Sequence, residues 1–318
     1  EAQPEPRPAV ARLSTSAAAR AEGALSASAG DPSAPALRVT DVTVRFGVRT
    51  VVDAASLEVR QGEVVGLIGA NGAGKSTLMN AIGGFVRSTG EVDVYGRAVA
   101  GVAPHRRAAL GLGRSFQDAA LFPDLTVRET VAVAAEARHR AGLTAVTVGL
   151  PRARRAERAK MALTDDVLGF LGLGPYADRF VSELSTGMRR IVELACLLAT
   201  ESRMLCLDEP TAGIAQREAE AFGPLLLRIR AELGASMLVI EHDMPLVMSI
   251  SDRIVCLEAG TVIAQGTPQE VRDDPRVVAS YLGTDEHAIA RSDAGAPARS
   301  AASTPTTTTT PTSTSTTA

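Results

Sequence analysis

The stretch EVVGLIGANGAGKST, Glu63–Thr77, decides the fold. It opens on a short apolar run suited to a buried strand, and Gly69–Thr77 then fits the pattern G-x-x-x-x-G-K-[ST] at every fixed position. A strand, a glycine-rich turn and a helix start, in that order, are the context this pattern requires. Gly72 and Gly74 let the backbone curl until successive N–H groups point inward at phosphate oxygens, and the following helix adds the positive end of its dipole. Lys75 can bridge two phosphates, and Ser76 can offer its hydroxyl to Mg2+. Gly69, Asn71, Gly72, Gly74, Lys75, Ser76 and Thr77 are therefore the expected binding set for a nucleoside triphosphate.

Three further apolar runs surround this one: RMLCLDE (Arg203–Glu209), SMLVIEH (Ser236–His242) and RIVCLEAG (Arg253–Gly260). Helical patterns separate the leading pairs, which predicts βαβ units and a largely parallel sheet. LRVTDVTVRFG and VVDAASLEVRQG alternate like antiparallel strands. Between Gln117 and Leu184 the chain turns mostly helical, in LTVRETVAVAAEARHRAG and RARRAERAKMALTDDVLGFLG, and reads as an inserted helical block. In an α/β sheet the carboxyl ends of the strands face the ligand crevice. Asp208 and Glu209 stand at such an end. Asp208 is placed to hold Mg2+, and Glu209, pointing differently, to accept a proton from an attacking water. Hydrolysis, and not binding alone, is the expected chemistry.

The remaining composition narrows the class. The 318 residues carry 33 Lys+Arg against 36 Asp+Glu, so no basic surplus calls for nucleic acid as the main partner. Hydrophobic residues make up 45% but aromatic ones only 3%, so Ala, Leu and Val must fill the core. Cys196, Cys206 and Cys256 stand singly in apolar surroundings, without the clustered spacing of a zinc site or a disulfide framework. No metal beyond Mg2+ is expected. No apolar run reaches the roughly 18 residues of a membrane span. Residues 1–35, rich in Ala, Pro and Ser, are expected to be a disordered linker, and 284–318 a disordered Ser/Thr/Pro tail, leaving 36–283 as the structured part. The chain begins with Glu, which suggests a processed chain or a piece of a longer polypeptide that carries a permease upstream.

On these motifs the chain resembles the ATP-binding cassette (ABC) ATPases over roughly residues 37–283. The resemblance implies an α/β phosphate-loop domain. It has a mixed sheet core, an antiparallel β subdomain, and an inserted α-helical subdomain at about 117–190. It also implies ATP as the nucleotide. Phe46, 29 residues before Lys75, stands about where the family stacks an aromatic ring on adenine; a strand phenylalanine in the core is the other reading. RSFQ (Arg114–Gln117) matches the family's glutamine loop, with Gln117 at Mg2+ and the attacking water, and His242 matches its switch histidine. LSTGM (Leu184–Met188) stands where the family has an LSGGQ-type signature, through which a second cassette would hold ATP by Ser185 and Gly187. Three positions depart from the family pattern. Thr186 replaces a glycine, Met188 replaces a glutamine near the ribose, and Ala215 replaces an Asp or Asn that couples the two sites.

FQDAALFPDLTVRETV, RRIVELA and the closing EAGTVIAQGTPQEVRDDPRVVASYLG are similar to the branched-chain amino-acid importer branch. The resemblance implies partners: a second cassette and transmembrane permease subunits, or a fused permease, at the cytoplasmic face of the membrane. Asp118–Thr126 is the candidate docking stretch, with Leu121 and Phe122 either presented to a permease or packed inside the helical block. A soluble ABC ATPase clamping nucleic acid or ribosomes is the alternative. A phosphate-loop kinase would leave Gln117, Ser185 and His242 without a purpose.

Overall fold

Five consecutive buried residues, Val64–Ile68, form the strand that feeds the phosphate loop, and two equally buried strands, Met204–Asp208 and Ser236–Ile240, run parallel beside it. The computed structural model describes residues 33–116, 121–137 and 151–280. Along them run β1 (Leu37–Phe46), β2 (Arg49–Val59), β3 (Val64–Ile68), α1 (Lys75–Gly83), β4 (Thr89–Val94), β5 (Arg97–Ala98), α2 (Pro104–Ala109) and β6 (Leu112–Arg114). The helical block holds α3 (Val127–Ala135), α4 (Pro151–Phe170) and α5 (Thr186–Ala199). Then come β7 (Met204–Asp208), α6 (Gln216–Leu233), β8 (Ser236–Ile240), α7 (Met244–Ile250), β9 (Arg253–Glu258), β10 (Thr261–Gly266) and α8 (Pro268–Arg272).

The main sheet has the order β10-β9-β3-β8-β7-β6 and is parallel except for β10, which pairs antiparallel with β9. Its inner strands read as unbroken apolar runs because both faces are covered. Alternate side chains still go to opposite sides. Cys206, Leu238 and Ile240 join a core with α1 and the second sheet, whereas Leu205, Leu207, Met237 and Val239 pack against the helical block and α6. The second sheet, in the order β2-β1-β4-β5, is antiparallel, as the alternation of β1 and β2 predicts. β4, β5, β6 and β10 carry no comparable pattern. β5 and β6 have two and three residues, too few for a period to register.

Local chemistry sets the helix ends. Thr126 and Glu129 form a reciprocal capping box at the start of α3, satisfying two orphan amides. Buried Arg107 on α2 donates to the carbonyls of Ala81 and Ile82, closing the last turn of α1. Within the block proposed at 117–190, the only β contact among the described residues is an isolated bridge between Thr126 and Phe180, and α5 runs on to Ala199. Residues 1–32 of the expected linker and the expected tail, 284–318, lie outside the described residues. Cys206 and Cys256 are buried and Cys196 is partly so. Burial pushes these thiols up to about 12, about 11 and about 12 respectively, which keeps them neutral and unreactive near pH 7.

Ala215 occupies the N-cap of α6 and supplies no side-chain acceptor to its exposed first turn. Ala215→Asn should therefore raise unfolding stability by about 1 kcal/mol, read as an upward shift in thermal midpoint.

Candidate nucleotide site

At the carboxyl edge of β3 the chain reverses through Gly69 to Gly74 and enters α1 at Lys75. Gly69 has φ +149°, and a side chain there would begin 2.1 Å from the Leu257 carbonyl oxygen, so the turn accepts glycine alone. The Lys75 ammonium is buried beneath the loop, where it donates to the carbonyls of Gly69 at 2.7 Å and Ala70 at 3.1 Å. Burial lowers its pKa, and the charges of Glu209 and Asp208 oppose that shift. A cleft of about 360 Å³ opens above it, lined by Arg49, Val51, Asn71, Gly72, Gly74, Lys75, Ser76, Thr77, Glu209 and His242.

The acidic wall comes from β7 and β8. Asp208 is buried; its Oδ1 lies 3.3 Å from Ser76 Oγ, and its Oδ2 lies 3.3 Å from Arg114 Nη2. Burial raises its pKa, while Arg114 and then the Ser76 hydroxyl hold it down. Glu209 adopts φ 50°, a left-handed conformation rare for a residue with a side chain, and its N–H donates to the Ile240 carbonyl at 2.9 Å. Such strain gathers at functional sites. His242 Nε2 lies 2.8 Å from Glu209 Oε1, within hydrogen-bond reach. The buried Glu241 carboxylate fixes this pair in place. It accepts from the Thr211 N–H and hydroxyl, at 2.9 and 2.7 Å, and from the His242 N–H at 3.2 Å, so it ties the loops after β7 and β8 together.

A donor set of one hydroxyl and one carboxylate oxygen suits a hard cation. No cluster of three or more His, Cys, Asp and Glu gathers among the described residues, so such a cation would need phosphate oxygens and water to complete its shell.

The model of the ABC transporter family matches residues 52–212, which include the whole phosphate loop and the Asp208–Glu209 strand end. This chain is a member of the ABC transporter ATP-binding cassettes. Residues 261–287 match the model described as the branched-chain amino acid ATP-binding cassette transporter. The high-affinity branched-chain amino acid transport ATP-binding protein BraF of Pseudomonas aeruginosa is 39% identical over 255 residues, covering 79% of this chain and 99% of BraF. LivG of Escherichia coli strain K12, another such protein, is 37% identical over 252 residues, with coverage of 79% and 99%. The structure of the ADP conformation of an ABC transporter cassette superposes with a TM-score of 0.67 at 30% identity, covering 78% of this chain and 99% of that one. The chain is accordingly an ATPase whose chemistry serves transport.

Within the cassette, Lys75, Ser76, Glu209 and His242 converge on one cleft. Ser185 and Gly187 do not line it. Ser185 caps α5, its Oγ accepting the Met188 N–H at 3.2 Å, and its side chain is exposed. Gly187 has a reason within the chain as well: a side chain there would begin 2.5 Å from Glu218 Oε2. Thr186 faces Gly213, and Met188 is buried in the core shared with the helical block. The methionine at this position thus packs in the core.

Phe46 is 54% exposed, which rules out the core reading; its register partner across the hairpin is Arg49, a residue of the cleft wall. Leu121 packs on the helical core, as the second reading has it, while Phe122 is 53% exposed and is not packed inside the block. Gln117 lies outside the described residues. Sequence reasoning missed Arg49, Val51, Arg114 and Glu241. The last two stand inside quoted stretches, RSFQ and SMLVIEH, but their partners are remote in the chain.

Lys75→Ala removes the buried cation and should weaken ATP binding by at least about tenfold, the cost of a charge-assisted hydrogen bond. Equilibrium binding of a fluorescent ATP analogue measures it.

Proposed function

We propose that this cassette hydrolyses ATP as its Mg2+ complex to drive a membrane permease for branched-chain amino acids or chemically similar small solutes. The observation that carries the reading is the placement of Lys75, Glu209 and His242 around one cleft, with Glu209 and His242 2.8 Å apart. Glu209 is the group placed to take a proton from water, His242 orients its carboxylate and reaches the terminal phosphate, and Gln117 is assigned to the same water. Ser76 and Asp208 would hold Mg2+, which supplies charge neutralisation at the phosphates. Phe46 is assigned to the adenine. The solute class rests on the 261–287 match and on BraF and LivG.

Two partners follow. Ser185 and Gly187, outside their own cleft, supply a helix N-terminus to the phosphate held by a second cassette, so the working unit is a head-to-tail dimer. The permease, as separate subunits or fused upstream, contacts the helical block at Phe122 and beside the partly exposed Phe85 and Phe116, which border a cavity of about 400 Å³. No helix among the described residues is long and apolar enough to cross a membrane, which fits attachment to the cytoplasmic face through that permease.

Co-expression with a branched-chain amino-acid permease should raise ATPase activity in membranes several-fold, whereas DNA or ribosomes should leave it unchanged. Stimulation by nucleic acid would instead support a soluble clamp. Glu209→Gln should still bind ATP but turn over ~10²–10⁴-fold more slowly, the usual weight of a general base. Ser185→Arg should leave nucleotide binding by the monomer intact and abolish hydrolysis. Retained turnover in Ser185→Arg removes the dimer from the mechanism.

A further inference from the structure

Asp208 is gripped on both of its oxygens. Arg114 holds Oδ2, the Ser76 hydroxyl lies against Oδ1, and the ion pair is almost sealed, with Arg114 and Asp208 side chains 7% and 3% exposed. Buried ion pairs are weak sources of stability, because desolvating two charges offsets most of their attraction. Geometry is the better explanation. A carboxylate pinned through Oδ2 has one oxygen left to present, and that oxygen faces the phosphate loop.

The pin is itself held. Arg114 lies on β6, directly beside Cys206 of β7 in the sheet register, and its guanidinium sits 5.7 Å from the Phe85 ring and 5.5 Å from the Phe116 ring. Its Nε and Nη1 are buried and make no hydrogen bond among the described residues, so the side chain has a single polar anchor, Asp208. The next two residues continue the connection. The Ser115 hydroxyl accepts the Asp208 N–H at 3.0 Å, and the Ser115 N–H donates to Cys206 O at 3.0 Å. The Phe116 N–H donates to Glu193 Oε1 at 2.9 Å, and Arg190 Nη1 donates to the Phe116 carbonyl at 2.9 Å. Arg190 and Glu193 belong to α5, the helix that Ser185 opens, and pair with each other at 3.1 Å.

We propose that Arg114 is a positioning residue that orients Asp208 toward the divalent metal, and that the Phe116 clamp makes this orientation depend on α5. The tripeptide Arg114–Ser115–Phe116 then links the metal carboxylate of one site to the helix that serves the other. The inference rests on the nucleotide reading above. An orienting partner behind a metal ligand typically contributes 10–100-fold in metal affinity. A neighbouring cation acting only by repulsion would have the opposite effect, since its removal would tighten metal binding.

The test uses the full chain and the variants Arg114→Met, Arg114→Lys and Glu193→Gln. Binding of a fluorescent ATP analogue is titrated with and without Mg2+, and Mn2+ binding to the ATP-loaded protein is followed by electron paramagnetic resonance. Arg114→Met should require about tenfold more metal, while metal-free nucleotide affinity stays within about twofold. Arg114→Lys, a point charge in place of a planar fork, should fall between wild type and Arg114→Met, and it decides the outcome if Arg114→Met does not fold. Glu193→Gln should shift metal dependence in the same direction by a smaller factor. Unchanged or tighter metal binding in the Arg114 variants overturns the positioning role, as does a loss of metal-free binding with no change in metal dependence. An unchanged Glu193→Gln overturns the link to α5. A wild-type chain that binds no nucleotide overturns the nucleotide reading and this inference with it.

Discussion

The parallel pairing of β3, β8 and β7 is the constraint on which the site depends, because it brings three carboxyl strand ends to one edge in fixed order. β3 delivers the turn at Gly69 and the helix that begins with Lys75. β7 delivers Asp208 and Glu209, and β8 delivers His242. The order in the sheet, and not the order in the chain, makes these groups neighbours: Glu209 and His242 are 33 residues apart yet within 2.8 Å. Each strand is buried on both faces, so a one-residue slip would drive apolar side chains into no better place while pulling every loop out of register. Burial thus protects the geometry of the chemistry.

Around that edge, polar groups are buried where they tie one loop to another. Glu241 joins the turns after β7 and β8, Arg107 closes α1, and Glu193 with Arg190 holds the backbone of Phe116. A buried carboxylate left without donors would cost several kcal/mol, so each tie persists only while all its members are in place. Burial raises the Glu193 pKa, and the Phe116 amide and Arg190 oppose that shift.

The helical block presents one end of a helix to solvent and packs the rest. Its helix α5 begins with Ser185 and presents an exposed N-terminus, while its interior face, from Met188 onward, fills the core. One helix therefore joins a capped, exposed start to a face that packs along its length. Of the two departures in the first turn, Met188 is buried in that core while Thr186 is exposed. The departure at Ala215 lies elsewhere, at a helix start left uncapped.

Continuous apolar runs and the fixed glycine, lysine and serine positions made the phosphate loop, the four buried strands and the acidic strand end legible in the sequence, because each depends on residues close together in the chain. Arg114, Glu241 and Arg49 were not legible. The partners of Arg114 and Glu241 are 94 and 30 residues away, Arg49 reaches the cleft only through the fold, and a charged letter inside a motif does not say which group it meets. The short strands β5 and β6 escaped for a related reason, since two or three residues carry no period and form only against a neighbour already in place. The sequence by itself determined the local chemistry: a phosphate loop, an acidic strand end and a capped helix. Only the tertiary structure decided which of these groups share a cleft, because non-local sheet pairing and buried ion pairs set those distances.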